Sequence, residues 1–448
     1  MSSATAGLRK RVGAMYLRIF AWARQYGGLQ RLYARIPFGW RLAIRRRLHA
    51  AARVPMPPIP FGNAATRIRA SRPAPGVCPG ANLLGYARGE FGIAENVRSY
   101  ARALEQTAYP FLIFDLDVGS ITRQRDRSME EHFSNTLCYA TNVFFLNADQ
   151  MHVARDVLGR NTFANRRNIG FWVWELETFP SEWRGAFDLV DEVWVPTSYV
   201  RDAVAACTDK PVLRMPKAIE FEAPQGMGRT HFGLSQDEFV FLFSYDFNSF
   251  VSRKNPEAII AAFRQAFADG TQRVRLLVKS TNGDQIPDKL ATFQRSAADD
   301  PRIEIRDGFL SRTEMFGLQN NIDCYVSLHR AEGFGLGMAE CMYLGKPVIA
   351  TGYSGNLDFM DSDNSLLVDY RMIPLRDGDY MCWQGQHWAD PDVAHAARLM
   401  RQVFDDRELA RRVGAAAAIS IRASNSKAAC GATVSRRLCE IDRGRAAR

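Results

Sequence analysis

The stretch His329-Arg330-Ala331-Glu332-Gly333-Phe334-Gly335-Leu336-Gly337-Met338-Ala339-Glu340 sets two carboxylates eight positions apart across a glycine-rich turn that opens a helix. Gly333, Gly335 and Gly337 strip side chains from the backbone so that a bulky ligand can come close. The helix that follows points free N–H groups and its positive dipole end at an anion, and a diphosphate suits that end. Glu332 lies before the helix and Glu340 about two turns inside it, so each is expected to accept from a different pair of hydroxyls on one elongated molecule. Phe334 and Leu336, between the glycines, are candidates to line the same ligand. A nucleotide sugar has all of these parts. The other reading is an amphipathic core helix carrying two solvated acids.

The continuation, Cys341-Met-Tyr-Leu-Gly-Lys-Pro-Val-Ile-Ala-Thr-Gly-Tyr-Ser-Gly-Asn-Leu-Asp-Phe-Met360, adds a Gly-Lys-Pro strand start and a second glycine turn. Together the two segments resemble the E-x7-E region of retaining GT-B glycosyltransferases, the family four (group 1) type, and Val190-Asp-Glu-Val-Trp-Val-Pro196 looks like the last strand of the first domain in members that synthesise polysaccharides. The resemblance runs from about Asn82 to Phe404 and is strongest from Phe241 to Met360. It implies an α/β protein of two doubly wound, Rossmann-like domains facing across a cleft. By position, Glu332 would contact the transferred sugar and Glu340 the nucleotide ribose.

Length and composition agree with a two-domain globular enzyme: 448 residues, 47% hydrophobic and 24% charged. The division expected is 1–75 extension and linker, 76–213 acceptor domain, 214–423 nucleotide-sugar domain and 424–448 basic, irregular tail. Eight cysteines without a Cys-x-x-Cys pair argue against a disulfide framework or zinc site and for a reducing, cytoplasmic setting.

Net charge is +10, yet the first 80 residues hold 15 Arg and Lys and no acid, so the rest carries 10 − 15 = −5. Leu8, Val12, Met15, Tyr16, Ile19, Phe20, Ala23 and Tyr26 recur at helical spacing beside Arg9, Lys10, Arg11, Arg18 and Arg24. Residues 1–53 therefore read as an interfacial helix segment for an anionic membrane, on the inner face of the cytoplasmic membrane. A solvated tail, a transit peptide and a nucleic-acid contact are the competing readings, and nucleic acid is not expected as a partner. No apolar run is long enough to span a bilayer. Val54-Pro-Met-Pro-Pro-Ile-Pro60 reads as a semi-rigid linker.

In the first domain, Asn82-Leu-Leu-Gly-Tyr86 reads as a strand meeting a turn with Gly85, Gly89 and Gly92, then a helix through Leu104. In GT-B enzymes the matching loop lies against the donor, which makes Gly89 a candidate; a merely tight turn is the alternative. Its G-x-x-x-G-x-x-G spacing disfavours a dinucleotide oxidoreductase. Further strands are expected at Pro110–Phe114, Asn142–Leu146 and Ile169–Glu175. Glu175, at the end of that last strand, is a candidate to orient or deprotonate an acceptor hydroxyl, against a capping or salt-bridged role.

In the second domain, Phe239–Tyr245 reads as a buried strand, and Ser252-Arg253-Lys254-Asn255-Pro256 opens a helix. The resemblance puts Arg253 and Lys254 where the family contacts the diphosphate, and two fixed cations there can neutralise the leaving group. Gly308-Phe-Leu310 falls where relatives face the nucleobase, so Leu310 joins the candidates, and Lys279 is a further possible phosphate contact. Tyr380–Trp388 reads as an aromatic roof, followed by Asp390 as N-cap with Pro391 at the first helical position.

Asp115-Leu-Asp117, Asp361-Ser-Asp363 and Asp377-Gly-Asp379 each satisfy D-x-D, a common metal-diphosphate pattern, but three hits dilute one another. His329 could touch the donor; the histidines show no ligand spacing. No metal and no cofactor are expected, the nucleoside diphosphate sugar being a substrate. The reading is a retaining, metal-independent hexosyltransferase acting on a glycan or lipid-linked acceptor. A silent nucleotide-sugar binding protein and a hydrolase or epimerase on the same scaffold are the alternatives.

Overall fold

A computed structural model describes residues 78–116, 118 and 123–446. The basic segment 1–53, the linker and Asp117 lie outside the described residues.

The described chain forms two compact units, one of residues 78–172, 180–194 and 434–446, the other of 173–179 and 195–433. Neither unit is continuous in sequence: residues 173–179 go with the second and residues 434–446 with the first.

The first sheet holds β1 (Cys78–Gly85), β2 (Phe111–Asp115), β3 (Tyr139–Phe145), β4 (Arg167–Phe171), β5 (Glu192–Val195) and β6 (Val212–Arg214), in the order β2-β1-β3-β4-β5-β6. β1 to β5 pair in parallel, each buried on both faces, as their apolar runs require. Three asparagines run through this core in register. Asn82 Nδ2 donates to Asn142 Oδ1 at 2.9 Å, and Asn142 Nδ2 to Asn168 Oδ1 at 3.0 Å, so buried amides satisfy one another across β1, β3 and β4. After β1 the chain makes the expected turn and enters the helix Gly92–Leu104. Arg98 from that helix, 1% exposed, donates to Ala87 O at 2.8 Å and Gly89 O at 2.7 Å and fixes the turn.

The expected irregular tail is instead a helix, Lys427–Ala446. Cys430, Val434, Leu438 and Ile441 are buried at helical spacing, a stripe hidden among Ala and Arg. Arg437 Nη2 pairs at 2.6 Å with Glu192, which is fully buried and also accepts from Trp194 Nε1 at 2.7 Å. Burial alone would raise the Glu192 carboxyl, but these bonds prevail and hold it below the usual range.

The second sheet holds β7 (Phe239–Asp246), β8 (Val274–Thr281), β9 (Ile303–Asp307), β10 (Cys324–Ser327), β11 (Val348–Thr351) and β12 (Leu366–Val368), ordered β12-β11-β10-β7-β8-β9 and parallel throughout. β13 (Tyr370–Pro374) and β14 (His387–Pro391) form an antiparallel pair. Pro391 ends β14, so Asp390 does not cap a helix. The N-cap is Asp392, whose Oδ1 accepts from His395 N at 2.9 Å and opens Val393–Asp405. Among the described residues no helix is long and apolar enough to cross a membrane, and no disulfide joins the cysteines.

Candidate functional site

β7 and β10 are neighbours although β8 and β9 separate them in sequence, so the strand order reverses there. Loops leaving such a pair at its carboxyl end diverge and make room for a ligand. Here they are residues 247–254 and 328–335, and they carry Arg253, Lys254 and Glu332.

Local sequence shapes the first loop. Phe250 (φ 60°) turns it into the short helix Val251–Lys254, and Asn255 (φ 54°) ends that helix in the left-handed region asparagine tolerates. Pro256 then starts the next helix. Asn255 Nδ2 donates to Leu328 O at 3.0 Å and Arg330 N to Arg253 O at 2.8 Å, which ties the two loops together.

Lys254 Nζ donates to Glu332 Oε1, and Arg253 Nη1 stands 3.3 Å from the same oxygen while donating to Ala331 O at 2.8 Å. All three side chains are largely buried. Burial alone would raise the Glu332 carboxyl; the charges of Lys254 and Arg253 outweigh it and hold it at about 2. Among the described residues Arg253 Nε has no hydrogen-bond partner, and Nη2 lies 3.9 Å from Glu175 Oε1, outside hydrogen-bond reach. A guanidinium edge with donors in reserve beside an ammonium matches the oxygens of a diphosphate.

Glu175 reaches this cluster by a route the sequence does not show. β4 ends at Phe171, and residues 173–179 leave it to join the second unit, anchored by buried Trp174, Leu176 and Phe179. There Glu175 Oε2 accepts from Tyr380 Oη at 2.6 Å. Gly333 makes room for this segment, since a Cβ on it would sit 2.6 Å from Val173 Cγ1 and 3.0 Å from Trp174 O. One on Gly337 would meet Tyr325 Oη at 2.7 Å. The space at these two glycines is thus filled by the protein itself, not kept for a ligand.

Gly335 (φ 98°) caps the helix Leu336–Tyr343, so Glu340 is its fifth residue, little more than one turn inside rather than two. Glu340, 3% exposed, accepts from Arg312 Nη2 at 2.6 Å and from Gln319 Nε2 at 2.9 Å. Sequence reasoning missed both donors. The signal was the capping box Ser311 and Glu314, which starts the helix Arg312–Asn320 directly after the Gly308–Leu310 turn.

The remaining candidates take other places. Phe334 packs on Phe359 with ring centres 5.0 Å apart, and Leu310 and Leu336 are half-buried against the same core. Lys279 Nζ donates to Ser280 O at 2.7 Å and to Gly308 O, bracing that turn, and burial lowers it to about 8. His329 is fully buried, with Nε2 3.2 Å from Tyr353 O and Nδ1 3.1 Å from Ser327 Oγ. A carbonyl only accepts, so Nε2 carries the proton; burial keeps the ring neutral. His329 thereby braces the turn whose Ser354 Oγ accepts from Glu332 N at 2.8 Å. Gly89 belongs to the first unit. Of the D-x-D candidates, Asp115 pairs with Arg88 at 3.1 Å, and Asp361 and Asp379 accept from backbone N–H groups of their own turns. A different group, Glu105, Glu131 and His132, brings three potential ligand atoms within 4.8 Å of one another on the first unit.

Residues 232–419 match the model of the glycosyl transferases group 1 family. No curated protein matches closely enough to count as a relative. Among solved structures, sucrose-phosphate synthase from Thermosynechococcus elongatus aligns with 82% of this chain and 100% of its own at 14% identity and a TM-score of 0.61. Anabaena HepE in complex with UDP and glucose aligns with 81% and 100% at 14% identity and a TM-score of 0.55. Against S. aureus TarM, at 14% identity and a TM-score of 0.49, the match covers 66% of this chain and spans about half of that one, 55%. At these identities the sucrose-phosphate synthase and HepE structures show a shared fold, two parallel six-stranded sheets with helices. Residues 232–419 are thus similar to the group 1 glycosyl transferases, and the two sheets share the GT-B fold of these structures.

Proposed function

We propose that the protein moves a hexosyl group from a nucleoside diphosphate sugar to a glycan or lipid-linked acceptor, with retention and without a metal ion, in polysaccharide biosynthesis. The observation that carries this is the meeting of Arg253, Lys254 and Glu332 where the order of the second sheet reverses. Arg253 and Lys254 would face the diphosphate and stabilise the charge that builds as it leaves. Glu332, held ionised, would face the transferred sugar and support positive charge at its anomeric carbon. Glu340 would take the ribose end. No carboxylate has been assigned as a nucleophile, so the departing phosphate itself would accept the acceptor's proton, a front-face displacement in which the new bond forms on the side the old one leaves.

HepE was solved with UDP and glucose, which makes UDP and its sugars the first ligands to try. We place the protein in the cytoplasm, with residues 1–53 against an anionic membrane surface, on the strength of their acid-free basic charge. The test is a thermal-shift panel of UDP, GDP, ADP and their sugars. A rise in melting temperature with one nucleotide, followed by release of that nucleoside diphosphate from its sugar, supports the reading. No shift with any of them contradicts it.

A further inference from the structure

Three separate stretches of chain converge on Arg253. Phe250 precedes it on its own loop. Glu175 comes from residues 173–179. Tyr380 comes from residues 375–386, the excursion between β13 and β14. That excursion is pinned on both sides: Ser252 Oγ donates to Asp379 O at 2.7 Å and Gln386 Nε2 to Thr178 O at 2.7 Å. Between these pins Tyr380, 6% exposed, packs edge-on against Phe250 at 4.6 Å, with the Arg253 guanidinium 5.8 Å from its ring centre. Its hydroxyl donates to Glu175 Oε2 at 2.6 Å, which leaves Oε1 toward Arg253 Nη2 at 3.9 Å. Glu175 is thus close enough to orient the cation and too far to capture its donors. On the other side Ala331 O takes Nη1 at 2.8 Å.

We infer that Tyr380 and Glu175 are positioning residues for Arg253, which together aim its Nε edge at the donor diphosphate. The inference rests on the nucleotide-sugar reading and assigns a task to an excursion outside the motifs that define the family resemblance. A carboxylate steadied by a buried hydroxyl fixes the guanidinium plane, and a fixed fork loses less freedom on binding two phosphate oxygens than a mobile one. Burial and the neighbouring Glu175 keep the Tyr380 hydroxyl protonated, as a donor must be.

Calorimetry tests this with whichever of UDP, GDP or ADP the wild-type protein binds, alongside the matching monophosphate. Tyr380→Phe keeps the ring and removes the hydroxyl. Its Kd for the diphosphate should rise about fivefold while that for the monophosphate changes less than about twofold, so the preference for the diphosphate shrinks. Glu175→Ala should behave alike, and Glu175→Gln, whose amide oxygen still accepts from Tyr380, should fall between. Unchanged diphosphate affinity in Tyr380→Phe overturns the inference, as do equal losses for both ligands, the mark of a general structural role. A wild-type protein that binds none of the three diphosphates overturns the functional reading, and this inference with it.

Discussion

Glu332 accepts from Lys254 through the same carboxylate oxygen that lies 3.3 Å from Arg253 Nη1, so one buried acid balances two cations. Its pH consequence has a definite sign. Lys254 and Arg253 hold the carboxyl at about 2 in the folded protein, below the ordinary 4.5, so its stabilising contribution is present above pH 4.5 and is lost as pH falls toward 2. Acid-induced melting curves of wild type and Glu332→Gln should therefore converge across that window. Curves that stay parallel would show the pair contributes nothing there.

Glu340→Gln should destabilise the second unit by about 1–3 kcal/mol, because Arg312 and Gln319 donate to different carboxylate oxygens and one of these becomes an NH2 donor in the amide. Nucleoside diphosphate binding should weaken with it. Denaturant melts and calorimetry on the variant check both; unchanged stability would show that the three groups rearrange freely.

Arg437→Ala should cost about 1.5–3 kcal/mol, since it strips two bonds from a fully buried Glu192 that keeps only Trp194 and Arg167. Arg437→Ala combined with Glu192→Gln should recover part of that loss in urea titrations. No recovery would mean that packing of the last helix, and not the charge, sets the effect.

Transfer should persist in excess EDTA, because Arg253 and Lys254 supply the positive charge at the diphosphate. Loss on chelation, restored by Mn²⁺ or Mg²⁺, would return attention to the acidic pairs.

Residues 1–53 should bind anionic vesicles in a salt-sensitive way. Full-length protein and a version starting at Val54 should differ in co-sedimentation at low salt; equal sedimentation would refute the membrane reading.

How much of this is legible in the sequence depends on range. Lys254 and Glu332 each sit in a local motif, a strand followed by a basic helix start and a strand followed by a glycine turn; periodicity finds the strands and helices, carboxylate and glycine spacing singles out Glu332, and the family resemblance singles out Lys254. The Glu175–Tyr380 bond joins residues 205 positions apart, through a segment that departs from β4 without a turn signal. Arg312 and Gln319 lie on a helix whose start is readable, while the face they turn toward Glu340 is set by packing. The last helix escapes notice because Cys430 and Val434 stand in a run of small and basic residues that reads as solvated. The glycines mislead in the opposite direction: Gly333 is required by Val173 and Trp174, which no local pattern brings near it.

The most direct test of the central claim separates the two carboxylates. Calorimetry with the nucleoside diphosphate and initial rates of its release from the sugar donor should be measured on wild type, Glu332→Gln and Glu340→Gln. Glu332→Gln should keep most of its nucleotide affinity and lose turnover, with a transition-state penalty of about 2–4 kcal/mol, whereas Glu340→Gln should lose nucleotide affinity first. Wild-type binding and turnover in both variants would contradict a donor site built on Glu332 and Glu340.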